Sequence, residues 1–107
     1  MMENRVHIKI PQERIAEFCR KWKIQELSLF GSVLREDFGP DSDIDVLVSF
    51  VPGEDWSLFD HIRMEEELST ILGRNVDIVT RRTVERSDNW IRRKAILESA
   101  VPCYVER

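Results

Sequence analysis

Cysteine is scarce in this sequence of 107 residues: only Cys19 and Cys103 occur, far apart and outside any Cys-x-x-Cys pattern. This scarcity argues against a disulfide framework and against a cysteine-based zinc site. We expect two reduced, partly buried thiols in a cytoplasmic protein. Long apolar runs are also missing, and no stretch approaches the roughly 18 apolar residues of a membrane-spanning helix. Residues 1–10 lack the apolar stretch of a signal peptide, so no membrane association is expected.

An excess of positive charge is absent as well. The chain has 16 basic and 20 acidic residues, for a formal net charge of −4. A general nucleic-acid binder depends on neutralising phosphates with Lys and Arg, so we expect no direct nucleic-acid binding. A small anionic substrate that carries a divalent cation stays compatible with this charge, because the cation supplies the local positive charge.

The sequence also lacks internal repeats, low-complexity tracts and any stretch typical of a domain linker. A chain of this length fits one compact domain, and we expect residues 1–107 to form it. So small a domain has a large surface relative to its volume. A homo- or hetero-oligomeric partner would therefore help, although nothing in the sequence requires one.

Hydrophobic periodicity and turn residues predict seven elements. They are a helix that begins at Pro11, a strand over 26–30, a strand over 43–50, a helix over 58–72 between Ser57 and Gly73, a strand over 75–79, a helix over 90–99 capped by Asp88, and a strand over 101–105. The order predicts an α/β (α+β) domain with a small mixed sheet. The first two strands are expected to be antiparallel, because their connection is too short for a helical crossover.

Two carboxylates on the second predicted strand stand out. Asp43 and Asp45 are two residues apart, so both face one side of the strand. At a separation of about 7 Å they would repel by roughly 2–3 kcal/mol at an effective dielectric near 20. A divalent cation between them turns this repulsion into attraction, and Mg²⁺ prefers such oxygen ligands together with substrate phosphates. The pair therefore predicts a magnesium site that supports displacement of pyrophosphate.

A third carboxylate, Asp77, lies on the third predicted strand, with Val76 and Ile78 facing the opposite way. If this strand pairs beside the second, Asp77 joins the same face and could hold the metal or accept a proton from the nucleophile. The alternative is a strand-edge charge or a salt bridge to Arg74 or Arg81.

Gly31 and Ser32 follow the first strand. Glycine lets the backbone approach a phosphate closely, and the serine hydroxyl starts a helical turn whose backbone donors favour an anion. A Gly-Ser pair alone is a weak signal. A Gly-Ser pair ten residues before an Asp-x-Asp strand is a strong one.

This spacing reproduces the GS-x10-DxD signature of the DNA polymerase β-type nucleotidyltransferases, and the short chain resembles their minimal nucleotidyltransferase (MNT) branch. The segment from Ala95 to Tyr104 is also similar to the usual close of that branch. The resemblance implies a mixed sheet flanked by helices, with a nucleoside triphosphate and Mg²⁺ as ligands. One departure is Glu36, where the family often has glycine.

The resemblance also implies roles for individual residues. Catalysis and metal binding fall to three carboxylates, Asp43, Asp45 and Asp77. Binding of the triphosphate falls to Gly31, Ser32, Arg35 and Ser42. From the residues alone, Arg35 is as well explained by an ion pair with Asp37 as by a phosphate contact.

Members of the MNT branch are commonly antitoxins paired with a helical HEPN-domain toxin, and some adenylylate a tyrosine of that toxin. The leading hypothesis is therefore a Mg²⁺-dependent antitoxin that transfers AMP from ATP to a tyrosine hydroxyl of a HEPN-type toxin. One alternative is a non-catalytic antitoxin that neutralises its partner by steric occlusion. Another is nucleotide transfer to RNA or to a small molecule, which the acidic charge disfavours.

The remaining basic and aromatic residues have simpler interpretations. Arg81 and Arg82 follow the third strand and are expected in a solvated loop. The outer face of the last helix accounts for Arg92, Arg93 and Lys94. Among the three tryptophans, Trp56 is the best candidate for an interface, because it lies in a predicted loop.

Overall fold

A computed structural model describes residues 8–34, 39, 42–54 and 56–106. Its elements are α1 (Gln12–Lys21), β1 (Ile24–Phe30), a 3₁₀ turn (Gly31–Leu34), β2 (Ile44–Phe50), α2 (Leu58–Leu72), β3 (Val76–Thr80), α3 (Arg81–Glu85), α4 (Trp90–Ser99) and β4 (Val101–Val105). The predicted helices and strands are present, and α3 is additional. No helix in these described ranges is long and apolar enough to cross a bilayer.

The four strands form one mixed sheet in the order β3-β2-β1-β4. β1 pairs antiparallel with both β2 and β4, whereas β2 and β3 are parallel. The expected α/β (α+β) class and the antiparallel pairing of the first two strands are therefore confirmed. Because β2 and β3 are parallel, the chain must cross over between them, and α2 is that crossover.

One face of the sheet, which we call the core face, carries Ile44, Val46 and Val48 of β2. All three are fully buried and belong to a cluster that includes residues of α1 and α2. Helical contributions to this cluster are Ile15, Phe18, Cys19, Met64 and Leu68. The amphipathic helices α1 and α2 therefore pack on the core face and bury their apolar residues against the strands.

The opposite face, which we call the carboxylate face, carries Asp45 and Leu47 of β2. A smaller buried cluster of Phe30, Leu47, Val84 and Ile96 covers part of it with α3 and α4. Toward the start of β2 the same face is polar, since Asp45 is only half-buried. Strand alternation thus gives the sheet one face of buried apolar residues and a second face that carries polar, ionisable side chains.

Side chains of α2 protect the exposed edge of β3. The backbone N–H of Ile78 donates to Glu65 Oε2 at 2.8 Å, and that of Val76 donates to Ser69 Oγ at 3.1 Å. At the other edge, β4 contains Pro102, which has no N–H to leave unpaired. Both edges are therefore poor templates for pairing with a further strand.

The segment after β3 is a short helix instead of the expected solvated loop. Thr80 caps α3 by accepting a hydrogen bond from the Thr83 N–H at 3.2 Å. Arg81 is not free in solvent, because its Nη2 lies 3.2 Å from Glu26 Oε1. The sequence interpretation missed this helix because five residues are too few to show helical periodicity.

One further prediction, the cap of α4, is wrong. Asn89, not Asp88, caps α4, and its side chain accepts from the Arg92 N–H at 3.0 Å. Trp56 is half-buried and packs against the core: its ring centroid lies 5.2 Å from that of Trp22, in an edge-to-face arrangement. This packing accounts for the buried part of the side chain, and the place of Trp56 at an interface stays a prediction.

Both cysteines are free, and Cys19 is fully buried. Burial raises the pKa of the Cys19 thiol from 9.0 to about 12, and that of Cys103 from 9.0 to about 11. Each thiol is therefore kept neutral and unreactive by its surroundings.

Candidate functional site

Gly31 is placed against Asp45 by the pairing of β1 with β2. Phe30, the last residue of β1, is the register partner of Asp45. Gly31 has a left-handed φ of +77°, and a Cβ added there would overlap Asp45 Oδ2 and lie 3.3 Å from Asp45 Cγ. Only glycine combines this backbone conformation with this close approach. The Asp45 carboxylate therefore leaves room only for glycine at position 31. The sequence alone did not show that these two residues are in contact.

Ser32 links the Gly-Ser turn to the start of the acidic strand. Its Oγ donates to the backbone carbonyl of Asp43 at 3.1 Å. This contact gives a physical meaning to the ten-residue spacing, since the intervening chain must return from the end of β1 to the start of β2. The structure therefore brings Gly31 and Ser32 together with Asp43 and Asp45. The predicted phosphate ligand Arg35 lies outside the described residues.

Asp45 and Asp77 are register partners in the parallel pair formed by β2 and β3. Neighbouring strands are about 4.8 Å apart, so the two side chains stand next to each other on the carboxylate face. Asp45 is half-buried and engaged in further contacts, whereas Asp77 is exposed. This is the strand pairing on which the prediction for Asp77 depended.

The alternative salt bridges for Asp77 do not form within the described part of the chain. Arg81 contacts Glu26 at 3.2 Å and Glu85 at 4.0 Å. Arg74 donates hydrogen bonds to two backbone carbonyls. Asp77 is therefore available to a ligand from solvent.

Asp43 precedes β2 by one residue and is exposed. The strand was expected to begin at Asp43 but begins at Ile44, so the pairing of β2 with its neighbours starts beyond Asp43. Asp43 instead borders an open cavity of about 460 Å³, together with Ser42, Ser69, Thr70, Gly73, Arg74 and Asn75. Neither Asp45 nor Asp77 lines this cavity.

Ser42, the other predicted nucleotide-binding residue, is engaged in local hydrogen bonds. Its Oγ accepts from the Gly39 N–H at 3.0 Å, and its own N–H donates to the Gly39 carbonyl at 3.1 Å. Arg74 Nη1 donates to the carbonyls of both residues. Ser42 is thus held next to Gly39 just before Asp43, and Arg74 binds the same two residues. Sequence reasoning considered Arg74 only as a partner for Asp77, because no spacing rule connects it with Gly39 or Ser42.

The donor chemistry of these residues fits Mg²⁺. Asp45 and Asp77 supply adjacent carboxylates, and Asp43 adds another at two residues from Asp45. Hard oxygen donors of this type are what Mg²⁺ prefers, completed by water and phosphate oxygens. Across the described ranges, no three His, Cys, Asp or Glu side chains are already gathered as a closed metal site.

Comparison with known proteins gives the same fold and the same class of enzyme. A family model described as a nucleotidyltransferase domain matches residues 12–103. A Methanocaldococcus jannaschii protein, provisionally named a protein adenylyltransferase, is 39% identical over 69 residues. These residues are 64% of this chain and 72% of that protein.

Two solved structures are similar. One, of a provisionally named minimal nucleotidyltransferase, is 34% identical, with a TM-score of 0.65 over 85% of this chain and 87% of that chain. The other is a complex of the tri-AMPylated Shewanella oneidensis HEPN toxin with an MNT antitoxin. A chain of that complex is 21% identical, with a TM-score of 0.60 over 89% of this chain and 70% of its own length. At that identity the likeness concerns the fold.

Proposed function

The chain belongs to the nucleotidyltransferase domain family and is a nucleotidyltransferase, and we propose that it is an antitoxin that adenylylates its toxin. In this proposal it transfers AMP from ATP to a tyrosine hydroxyl of a HEPN-type toxin, in a reaction that needs Mg²⁺. The observation that carries the proposal is the pairing of Asp45 with Asp77 in register, with Gly31 packed against the Asp45 carboxylate.

In this proposal Asp43, Asp45 and Asp77 hold the metal. Mg²⁺, when bound, supplies positive charge to the triphosphate and to the pyrophosphate that leaves. The protein's contribution is to hold three carboxylates at one end of the sheet, at a cost in mutual repulsion that a purely structural strand would not need. The half-buried position of Asp45 supports a ligand role, because low exposure strengthens its attraction to a cation.

The Gly-Ser turn would bind the triphosphate. Gly31 has no side chain to obstruct a phosphate, and the turn from Gly31 to Leu34 begins with backbone N–H groups that have no helical partner. Ser32 would contribute its backbone N–H, because its single hydroxyl proton is donated to the Asp43 carbonyl. Ser42 would add a hydroxyl, and Arg35 would add a guanidinium. The exposed backbone donors favour an anion at this end of the sheet.

The proposed transfer breaks one bond and forms one. The tyrosine oxygen attacks the α-phosphorus of ATP and forms a phosphodiester with AMP. The bond from the α-phosphorus to the bridging oxygen breaks, and its electron pair leaves with pyrophosphate. The tyrosine proton passes to the exposed carboxylate of Asp77, whose second oxygen stays available to the metal.

The partner and its chemistry are proposed from the relatives. A chain of similar fold belongs to a complex of an AMPylated HEPN toxin with an MNT antitoxin, and a relative 39% identical is provisionally named a protein adenylyltransferase. We also propose that residues 1–107 form a single domain. We place the protein in the cytoplasm, where its two free thiols would stay reduced.

The test is intact-mass spectrometry of a HEPN-type partner after incubation with this protein, ATP and Mg²⁺. We expect the partner to gain the mass of one or more AMP units with the wild type and none with the Asp43→Ala, Asp45→Ala double variant. A matched control, the Glu66→Ala, Asp88→Ala double variant, removes two exposed carboxylates that lie outside β2 and β3, one on α2 and one between α3 and α4, and it should transfer normally.

The contrary outcome is a partner that gains no mass but stays bound and inhibited. That result would replace the transfer reaction with neutralisation by steric occlusion. Transfer that persists in the Asp43→Ala, Asp45→Ala double variant would overturn the assignment of the site and leave the enzyme class intact.

A further inference from the structure

The turn between α2 and β3 places an arginine against the backbone that precedes Asp43. Gly73 ends α2 with a left-handed φ of +70°, and Arg74 follows it directly. Arg74 Nη1 donates to the carbonyl of Gly39 at 2.7 Å and to that of Ser42 at 3.2 Å. Both hydrogen bonds are partly buried and join segments more than 30 positions apart. The guanidinium therefore connects two distant parts of the chain.

Hydrogen bonds hold the backbone around Asp43 at three successive residues. The Ser42 carbonyl accepts from Arg74, and the Asp43 carbonyl accepts from Ser32 Oγ at 3.1 Å. The Ile44 N–H donates to the Asn75 carbonyl at 2.9 Å. The Ile44 hydrogen bond belongs to the parallel pairing of β2 with β3, which begins at Ile44. Asp43 precedes that pairing, so on its other side the backbone is held by the hydrogen bonds to the Ser42 and Asp43 carbonyls, and Arg74 donates the first of these.

We propose that Arg74 is a positioning residue for Asp43. By holding the carbonyls of Gly39 and Ser42, it fixes the direction in which the Asp43 carboxylate enters the site. The inference rests on the proposed function, in which Asp43 is a ligand of Mg²⁺. In this role Arg74 acts through Asp43 and does not itself contact the reacting phosphate.

The chemistry of arginine suits this task better than that of lysine. A guanidinium is planar and permanently charged, and its donors have a fixed geometry that can serve two carbonyls together. A lysine ammonium keeps the charge but is a compact group on a flexible stem. An Arg74→Lys protein should therefore hold the carbonyls of Gly39 and Ser42 only in part.

The experiment compares Arg74→Met with Arg74→Lys and with a matched control, Arg63→Met. Methionine keeps an unbranched stem and removes every donor. Arg63 is an exposed residue of α2, and its side chain forms no hydrogen bond or ion pair within the described residues. Thermal melting of each variant shows whether the fold is retained.

The first measurement is the Mg²⁺ concentration that gives half-maximal AMP transfer. We expect Arg74→Met to raise it about tenfold to a hundredfold, the range that corresponds to losing a hydrogen bond from a charged donor. Arg74→Lys should give a smaller increase, and Arg63→Met should give none. A general loss of stability would lower the yield of active protein without changing this concentration.

The second measurement does not depend on turnover. Calorimetric titration of each variant with Mn²⁺ and a non-hydrolysable ATP analogue should show the same order of affinities. Amide exchange should be faster at Ile44 in Arg74→Met than in Arg63→Met, because the backbone next to Asp43 is released. Should Arg74→Met fail to fold, Arg74→Lys is judged by the same measurements.

Two failures can be told apart. If the wild type transfers no AMP, the proposed reaction is wrong, while analogue binding and exchange at Ile44 still test the role of Arg74. If folded Arg74→Met binds Mn²⁺ and the analogue as tightly as Arg63→Met, with the same exchange at Ile44, Arg74 is not a positioning residue.

Discussion

On the core face of the sheet, side chains of β1 and β2 meet α1 and α2, and residues such as Val46 and Leu68 have no exposed area. On the carboxylate face, the buried cluster has four members among the described residues, and two of them, Phe30 and Ile96, are 7% exposed. The same strands contribute to both faces, since Val46 and Leu47 are consecutive residues. The side chains on one face of a strand can therefore stabilise the fold, while those on its other face form a functional site.

The difference between the faces is one of energetics. Apolar burial on the core face favours folding at roughly 25 cal/mol per Å². The carboxylates on the other face repel one another and are only half-buried or exposed, so they contribute little to folding. The cluster on the core face thus provides most of the stability. The carboxylate face can therefore carry charged side chains without unfolding the protein.

The largest expected effect on stability is that of truncating the core face. Leu68→Ala should lower the free energy of unfolding by about 3–5 kcal/mol, since it leaves a cavity beneath α2. Ile96→Ala, in the smaller cluster, should cost nearer to about 2 kcal/mol. Urea titration of both variants measures the difference. Equal losses would mean that the two clusters contribute alike and would remove the energetic distinction between the faces.

A smaller effect on stability, combined with loss of activity, is expected for Gly31→Ala. The added Cβ would meet the Asp45 carboxylate in a left-handed backbone conformation, at a cost of about 2–4 kcal/mol for strain and overlap together. AMP transfer should fall sharply, because Asp45 must move.

Gly53→Ala is the matched control for Gly31→Ala. Its φ is also left-handed, at +91°, but nothing lies within 4 Å of the added Cβ. It should therefore lose only about 1 kcal/mol and keep its activity. If both variants behave alike, backbone strain alone explains the glycine at 31, and its contact with Asp45 has no importance.

The last expected effect concerns pH and lies on the core face. Burial raises the pKa of the Cys19 thiol to about 12, above its ordinary value of 9.0. The folded state therefore favours the neutral thiol, and its stabilising contribution is complete below pH 9 and is lost as the pH rises toward 12. The slope should approach about 1.4 kcal/mol per pH unit. Urea titrations from pH 8 to pH 10.5 should show a shallower decline for Cys19→Ala than for the wild type.

Much of the fold follows from local patterns in the sequence. Alternation in β2 separated Ile44, Val46 and Val48 from Asp45 and Leu47, and Ser57 and Gly73 correctly marked the ends of α2. These features depend on neighbours within one strand or one helix, so they are visible in a single sequence. Helix α3 was missed because a helix of five residues is too short to show hydrophobic periodicity. The cap of α4 was assigned to Asp88 instead of Asn89 because either side chain can accept a hydrogen bond at a helix N-terminus.

The sequence by itself determined the chemical groups of the site and their spacing: a Gly-Ser turn, two carboxylates two residues apart and a third on a later strand. Only the tertiary structure decided which of these groups are neighbours. The parallel register of β2 and β3 set Asp77 beside Asp45, and the pairing of β1 with β2 set Gly31 against the same carboxylate. The link from Arg74 to Gly39 and Ser42 likewise exists only in the folded chain. The physical reason is that register and loop closure depend on contacts between residues far apart in sequence, which no local pattern encodes.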